Sequence, residues 1–253
     1  AKDWWEDPNY SHGFLIPVVA LLLAWRARDE LRAAPRDGSW SGLPVLLGGV
    51  GMLLIGVMAA EEFLMRGSLV IVIAGLVLLH GGRRVFQALA FPIAFLAFMV
   101  PLPFIVFNAV AFPLQALAAA NAAWALDSIG VPVFREGNVI HLSQISLGVT
   151  EACSGIRSLV SLLALAVVWA HLALGRTWRM LLFVAAAVPI TIVANACRVI
   201  LTGLIGQSFG VEYARGFFHS FSGWVIFVVA AVCLLVVQAV MSRVPGPALE
   251  RHR

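Results

Sequence analysis

The chain has 253 residues, 61% of them hydrophobic and 12% charged, where a soluble domain carries roughly 25% charged residues. Its mean hydropathy is +0.95, its net charge is +4, and a globule of this length cannot bury so much apolar surface. A cytosolic enzyme, a disordered chain and a disulfide scaffold are excluded, which leaves an all-α, polytopic transmembrane helix bundle forming one integral membrane domain over residues 1–253.

The N-terminus, Ala1-Lys2-Asp3-Trp4-Trp5-Glu6-Asp7, has neither the basic n-region nor the small-residue cleavage site of a signal peptide. It also lacks an initiator methionine, so an upstream helix is expected. A helix crossing the hydrocarbon core needs about 20 mostly apolar residues. The first four spans are predicted near Tyr10–Trp25, Leu43–Ala60, Ser68–His80 and Val85–Phe107, with Glu61, Glu62 and Arg66 in a solvated turn. Pro92, Pro101 and Pro103 are expected to kink the fourth or end it early. A connection of about forty-five residues follows, Asn108–Ala152, too long for a bare turn. Its first half, Phe112–Ser128, suits a helix lying on the outer surface. Its second half reads as two short strands around Arg135-Glu136-Gly137-Asn138, and the two halves together make a small outer helix-plus-hairpin cap within 108–152. Three more spans are predicted near Gly155–Leu174, Met180–Ile205 and Phe217–Met241, with Pro189 bending the sixth.

Arginine placement orients the spans. With the N-terminus outside, the inner segments hold Arg26, Arg28, Arg32, Arg36, Arg83, Arg84, Arg176, Arg179, Arg243, Arg251 and Arg253. The outer segments hold only Lys2, Arg66, Arg135 and Arg215. That asymmetry obeys the positive-inside rule, and such clusters do not track nucleic acid. Cys153, Cys197 and Cys233 are too dispersed for a disulfide framework or a zinc site, and Cys197 and Cys233 read as buried packing residues. His12, His80, His141, His171 and His252 show no ligand spacing, so neither a metal nor an organic cofactor is expected.

Ionisable groups inside spans are expensive and mark functional sites by default. Glu151-Ala152-Cys153-Ser154-Gly155-Ile156-Arg157 opens the fifth span. Asn195 and Arg198 lie three apart, on one face of the sixth, about 10 Å from its predicted end. His219 stands in the first turn of the seventh. Topology brings the three to one membrane depth. A thiolate at Cys153 is favoured by a helix N-terminus and a nearby guanidinium. His219 could exchange a proton with the thiol or a leaving group. Arg198 suits an oxyanion or a carboxylate, and Asn195 could orient it. Each residue also has a plainer reading. Cys153 could be packing, Arg198 a structural ion pair or headgroup contact, and His219 an interfacial residue among Phe217, Phe218 and Phe221. Arg157 could pair with Glu151 or a headgroup.

The block from Glu151 to Arg157, then Asn195-Ala196-Cys197-Arg198, then His219-Ser220-Phe221-Ser222-Gly223 resemble the signature blocks of the exosortase/archaeosortase family. Tyr10-Ser11-His12-Gly13-Phe14-Leu15-Ile16-Pro17, Val100-Pro101-Leu102-Pro103 and Arg135-Glu136-Gly137-Asn138 are similar to its subsidiary blocks. The likeness runs from about Asn9 to Val240, in order and at fitting intervals, and the bacterial branch fits better. It implies a membrane-embedded cysteine transpeptidase or protease of the cytoplasmic membrane. Cys153 would be its nucleophile, Arg198 the transition-state stabiliser and His219 the general acid/base, with Glu151, Ser154, Gly155, Arg157 and Asn195 in support. The implied substrates are exported proteins with a C-terminal sorting signal: a short motif such as Pro-Glu-Pro, a hydrophobic helix and a basic tail. Family members usually carry a further hydrophobic segment before the first block, which agrees with the expected upstream helix.

Two other functions compete. A non-enzymatic component of exopolysaccharide or surface-protein export would use Arg198 for structure or headgroup binding. A transporter would place polar groups along a path; here they cluster at one face and no internal repeat is apparent.

Overall fold

The computed structural model describes residues 12–143, 145–149, 155–174, 177–210 and 217–243, and of 217–220 the backbone alone. The helices are α1 (Leu15–Arg26), α2 (Arg28–Ala33), α3 (Gly42–Met58), α4 (Glu62–Phe95), α5 (Phe104–Ser128), α6 (Ile156–Ala173), α7 (Thr177–Phe209) and α8 (Phe217–Arg243). A 3-10 turn, Leu96–Met99, follows α4, and strands β1 (Val133–Glu136), β2 (Val139–Leu142) and β3 (Ser146–Gly148) follow α5. Among the described residues, α4 with its 3-10 turn, α5, α6, α7 and α8 are long and apolar enough to cross a membrane, while α1 and α3 are shorter apolar helices. Val228, Val229, Val232 and Val236 of α8 are all exposed, as suits a helix whose solvent is acyl chain. The described residues form two compact units, 1–108 and 109–253.

In the first unit α3 packs antiparallel to the first half of α4. Apolar side chains gain little by leaving lipid for one another, so close backbone approach through small residues holds such pairs. Gly42, Gly49 and Gly56 recur every seven residues and are the buried residues of α3. A Cβ on Gly49 would stand 2.8 Å from Val72 Cγ2 and 2.9 Å from the Val72 nitrogen. Gly42 faces Leu79 and Gly56 faces Met65, which fixes the antiparallel sense. The turn between the helices is the polar one expected. Glu61 caps α4 by accepting from Leu64 N at 3.2 Å, and Arg66 pairs with Glu62 at 3.0 Å.

The break predicted near Gly81–Arg84 is a kink inside α4. Gly82 has φ +79 and ψ −177, and a Cβ there would strike the Asp37 carbonyl, so only glycine suits the position. The fourth predicted span, Val85–Phe107, is cut short. α4 ends at Phe95, the 3-10 turn ends at Met99, and Val100 is extended (φ −84, ψ 123). Pro101 forces this, because a proline ring disfavours helical geometry in the residue before it.

The second unit corrects the predicted cap. The surface helix expected over Phe112–Ser128 begins eight residues earlier, at Phe104, and has the length and hydropathy of a span. It lies beside α7 in the same direction: Leu114 and Ala118 meet Thr191 and Asn195, and Leu126 meets Gly203. The hairpin is present, with Glu136 opposite Val139 and Val133 opposite Leu142. A third strand, β3, extends it by pairing Ile140 with Leu147. Ala118, Ala119, Ala122 and Leu126 of α5, Ile140 and Leu142 of β2, Ile145, Val149 and Val199 of α7 form one core under this sheet. A second core joins α6, α7 and α8 through Leu162, Ala166, Phe183, Ala187, Ile226 and Ala230. Trp169 Nε1 ties α6 to α8 by donating to Gln238 Oε1 at 2.6 Å.

Candidate active site

α7 carries Asn195 and Arg198 on one face, and both are buried, 5% and 8% exposed. The helix runs four residues past the predicted end at Ile205, to Phe209. Arg198 therefore lies eleven residues from its end, about 16 Å at 1.5 Å per residue, deeper than the sequence suggested. A guanidinium at such a position requires polar company. Arg198 Nε donates to Ser222 Oγ at 3.3 Å. The guanidinium also lies against Gly223, where a Cβ would come within 3.6 Å of Nη2. Both neighbours belong to the second turn of α8. His219 is the third residue of that helix and shares a face with Ser222 and Gly223, at i, i+3 and i+4. Thus α7 and α8 bring Arg198 to the face that carries His219, whose side chain lies outside the described residues.

The third contribution comes from the start of α6. Gly155 is its N-cap residue, in the left-handed region at φ +79. A Cβ on it would stand 3.1 Å from Asn195 Cγ, so the absence of a side chain lets the chain pass against the amide. Leu114, Ala118, Gly155, Leu159, Thr191, Ile192 and Asn195 line a small cleft there, apolar except for Thr191 and Asn195. Thr191 is buried and its hydroxyl donates to the Ala187 carbonyl at 2.8 Å, and Asn195 is the other polar side chain of the cleft. Cys153, Ser154 and Glu151 lie outside the described residues; Arg157, on the second residue of α6, is half-buried.

Upstream of the nucleophile candidate, the sheet is fastened to α5. Val149 N donates to the Asn138 carbonyl at 2.9 Å. Asn138 Nδ2 donates to the Val149 carbonyl at 3.0 Å and to Gln115 Oε1 at 3.3 Å.

The structure therefore brings Gly155, Asn195 and Arg198 into one neighbourhood with the first turns of α8. Sequence reasoning missed Ser222 and Gln115. Ser222 had a signal, three residues after His219. So did Gln115, which with Asn108 and Asn121 is one of three amides in an alanine-rich apolar helix. Two cysteines are corrected: Cys197 and Cys233 are exposed rather than buried. A small thiol on the outer face of a span meets acyl chains, a solvent it suits as well as a protein core.

No curated protein and no solved structure gave a significant match. The transmembrane exosortase family matches residues 4–236, a stretch that contains all three signature blocks. With that match over nearly its whole length, the chain belongs to the transmembrane exosortase family.

Proposed function

We propose that the protein is a cysteine transpeptidase or protease that removes a C-terminal sorting signal from exported proteins at the outer face of the cytoplasmic membrane. The observation that carries the reading is the buried Arg198, held between α7 and the second turn of α8 and one turn from His219. Cys153 is two residues from Gly155, and two residues of chain reach at most about 7 Å. Gly155 rests on Asn195, which supports a thiol within that reach of the same helix face.

In the proposed cycle the Cys153 thiolate attacks the scissile carbonyl, and the oxyanion is held by the Arg198 fork. Collapse breaks the C–N bond, and the leaving amine takes a proton from His219. The thioester is then released by water, or passed to an amine or lipid nucleophile, with His219 accepting that nucleophile's proton. A substrate tail of hydrophobic helix and basic end would lie beside the spans with its charges inside, where the arginine-rich segments of this chain also lie. The partners are thus tail-bearing exported proteins and membrane lipids.

The test is co-expression with a reporter bearing a Pro-Glu-Pro motif, a hydrophobic helix and a basic tail, read by intact mass. Wild type should remove the tail and Cys153→Ala should leave it. Equal outcomes for the two chains would sink the enzyme reading. They would favour a non-enzymatic role in surface-polymer or protein export, in which the Arg198–Ser222 contact is a structural tie between helices.

A further inference from the structure

Asn138 has no part in the chemistry above, yet its bonds converge on the approach to Cys153. It follows the turn glycine Gly137, which has φ +60. Its main chain accepts from Val149 N, and its side chain donates both to the Val149 carbonyl and to Gln115 Oε1. A backbone carbonyl only accepts, so the atom facing Val149 is the amide nitrogen, and Gln115 must then offer its oxygen. Val149 is 1% exposed and Gln115 4%, so water has little access with which to replace these bonds. One side chain therefore ties the end of the sheet to α5.

Residues 150–154 separate Val149 from Gly155, which is packed on Asn195. Both ends of the stretch bearing Cys153 are thus fastened to helices that line one cleft: the near end to α5 through Asn138 and Gln115, the far end to α7, which also carries Arg198. We propose that Asn138, seconded by Gln115, is a positioning residue that fixes the entry of the nucleophile segment relative to Arg198. The proposal rests on the functional reading above. A displacement of about 1 Å at a reacting atom can cost on the order of a hundredfold in rate, so losing one anchor acts on turnover rather than on substrate binding.

The experiment uses the full chain in detergent, with wild type, Asn138→Ala, Gln115→Leu and Cys153→Ala. Iodoacetamide labelling of each cysteine is followed against pH by peptide mass, and tail removal from the reporter is measured as kcat and KM. Asn138→Ala is expected to lower kcat about ten- to a hundredfold with KM within about threefold. It should also move the Cys153 labelling profile toward that of a free thiol, while Cys197 and Cys233 label as in wild type. Gln115→Leu, which leaves Asn138 its bond to Val149, should shift both readouts in the same direction by less. Unchanged kcat and an unchanged Cys153 profile in Asn138→Ala overturn the proposal. Should Asn138→Ala fail to fold, with all three cysteines changing together, Gln115→Leu decides by the same criteria. If Cys153→Ala removes the tail as well as wild type does, the enzyme reading fails. The labelling profile then judges the anchor by itself.

Discussion

Arg198 sits where a charge is costly, and its Nε donates to Ser222 Oγ across to α8. The planar fork fits an oxyanion in a way a lysine ammonium does not. Arg198→Lys retains the charge and most of the stem, and it is expected to lower turnover by about a hundred- to a thousandfold, the range for losing an oxyanion donor. Single-turnover loss of the reporter tail measures it; a lysine variant within a few-fold of wild type would make the charge alone sufficient. Gly155 is the second residue whose chemistry is local. Alanine there takes on a left-handed backbone costing roughly 1–2 kcal/mol and sets its Cβ 3.1 Å from Asn195 Cγ. Gly155→Ala should therefore lower the thermal midpoint and the cleavage rate together, read by unfolding in detergent and by the reporter. At this scale the sequence was informative wherever a polar group stood inside a span, since Asn195 and Arg198 need no structure to be conspicuous. What it could not show were the partners. Ser222 is 24 residues from Arg198, and Gln115 is 23 from Asn138, and only the packing of separate elements joins them.

Elements follow the same logic of small residues and fixed dihedrals. The glycines of α3 look alike in sequence but divide into two classes. Gly49 is pressed against Val72, whereas Gly48 and Gly51 have nothing within 4 Å of a built Cβ. Gly49→Val should separate α3 from α4 and destabilise the chain by about 1–3 kcal/mol, as overpacking does. Gly48→Ala and Gly51→Ala should be neutral or stabilise by up to about 1 kcal/mol, because alanine is the better helix former. Thermal unfolding of the three variants in one detergent checks both halves, and equal losses would mean that the seven-residue glycine repeat is not the contact. The two spans expected on either side of Gly81–Arg84 are one kinked helix, but the stop before Pro101 was legible, since a proline restricts the residue before it. The start of α5 and the strand β3 were not. Phe104–Phe107 reads equally well as the end of one apolar helix or the start of another, and only Pro101 and Pro103 decide between them. Ile145, Leu147 and Val149 do alternate with polar or small residues, but three strand residues with no turn signal of their own are too short to stand out.

For the whole molecule, orientation rests on charge. α5 and α7 run in the same direction and end together under the sheet, where Leu126, Leu142 and Leu147 surround Gly203. The sheet therefore marks the side on which α7 ends. The opposite end of α7 carries Arg179, and the segment before it Arg176, the kind of pair that stays in the cytoplasm. That rule predicts a sheet on the outer side, and, applied separately to Arg28 and Arg32, it predicts α2 on the inner side. Two single cysteines placed in Cys153→Ala test this directly. Phe134 on β1 is 66% exposed, and Ala33 closes α2 on an exposed position. Phe134→Cys should react with a membrane-impermeant maleimide in intact spheroplasts, and Ala33→Cys only after permeabilisation. Cys197 and Cys233 face acyl chains, and the parent Cys153→Ala chain measures whatever background they contribute. The reverse pattern would put the nucleophile segment in the cytoplasm, where a substrate already exported could not reach it, and the sorting reaction would have to be abandoned even if the cysteine proved reactive.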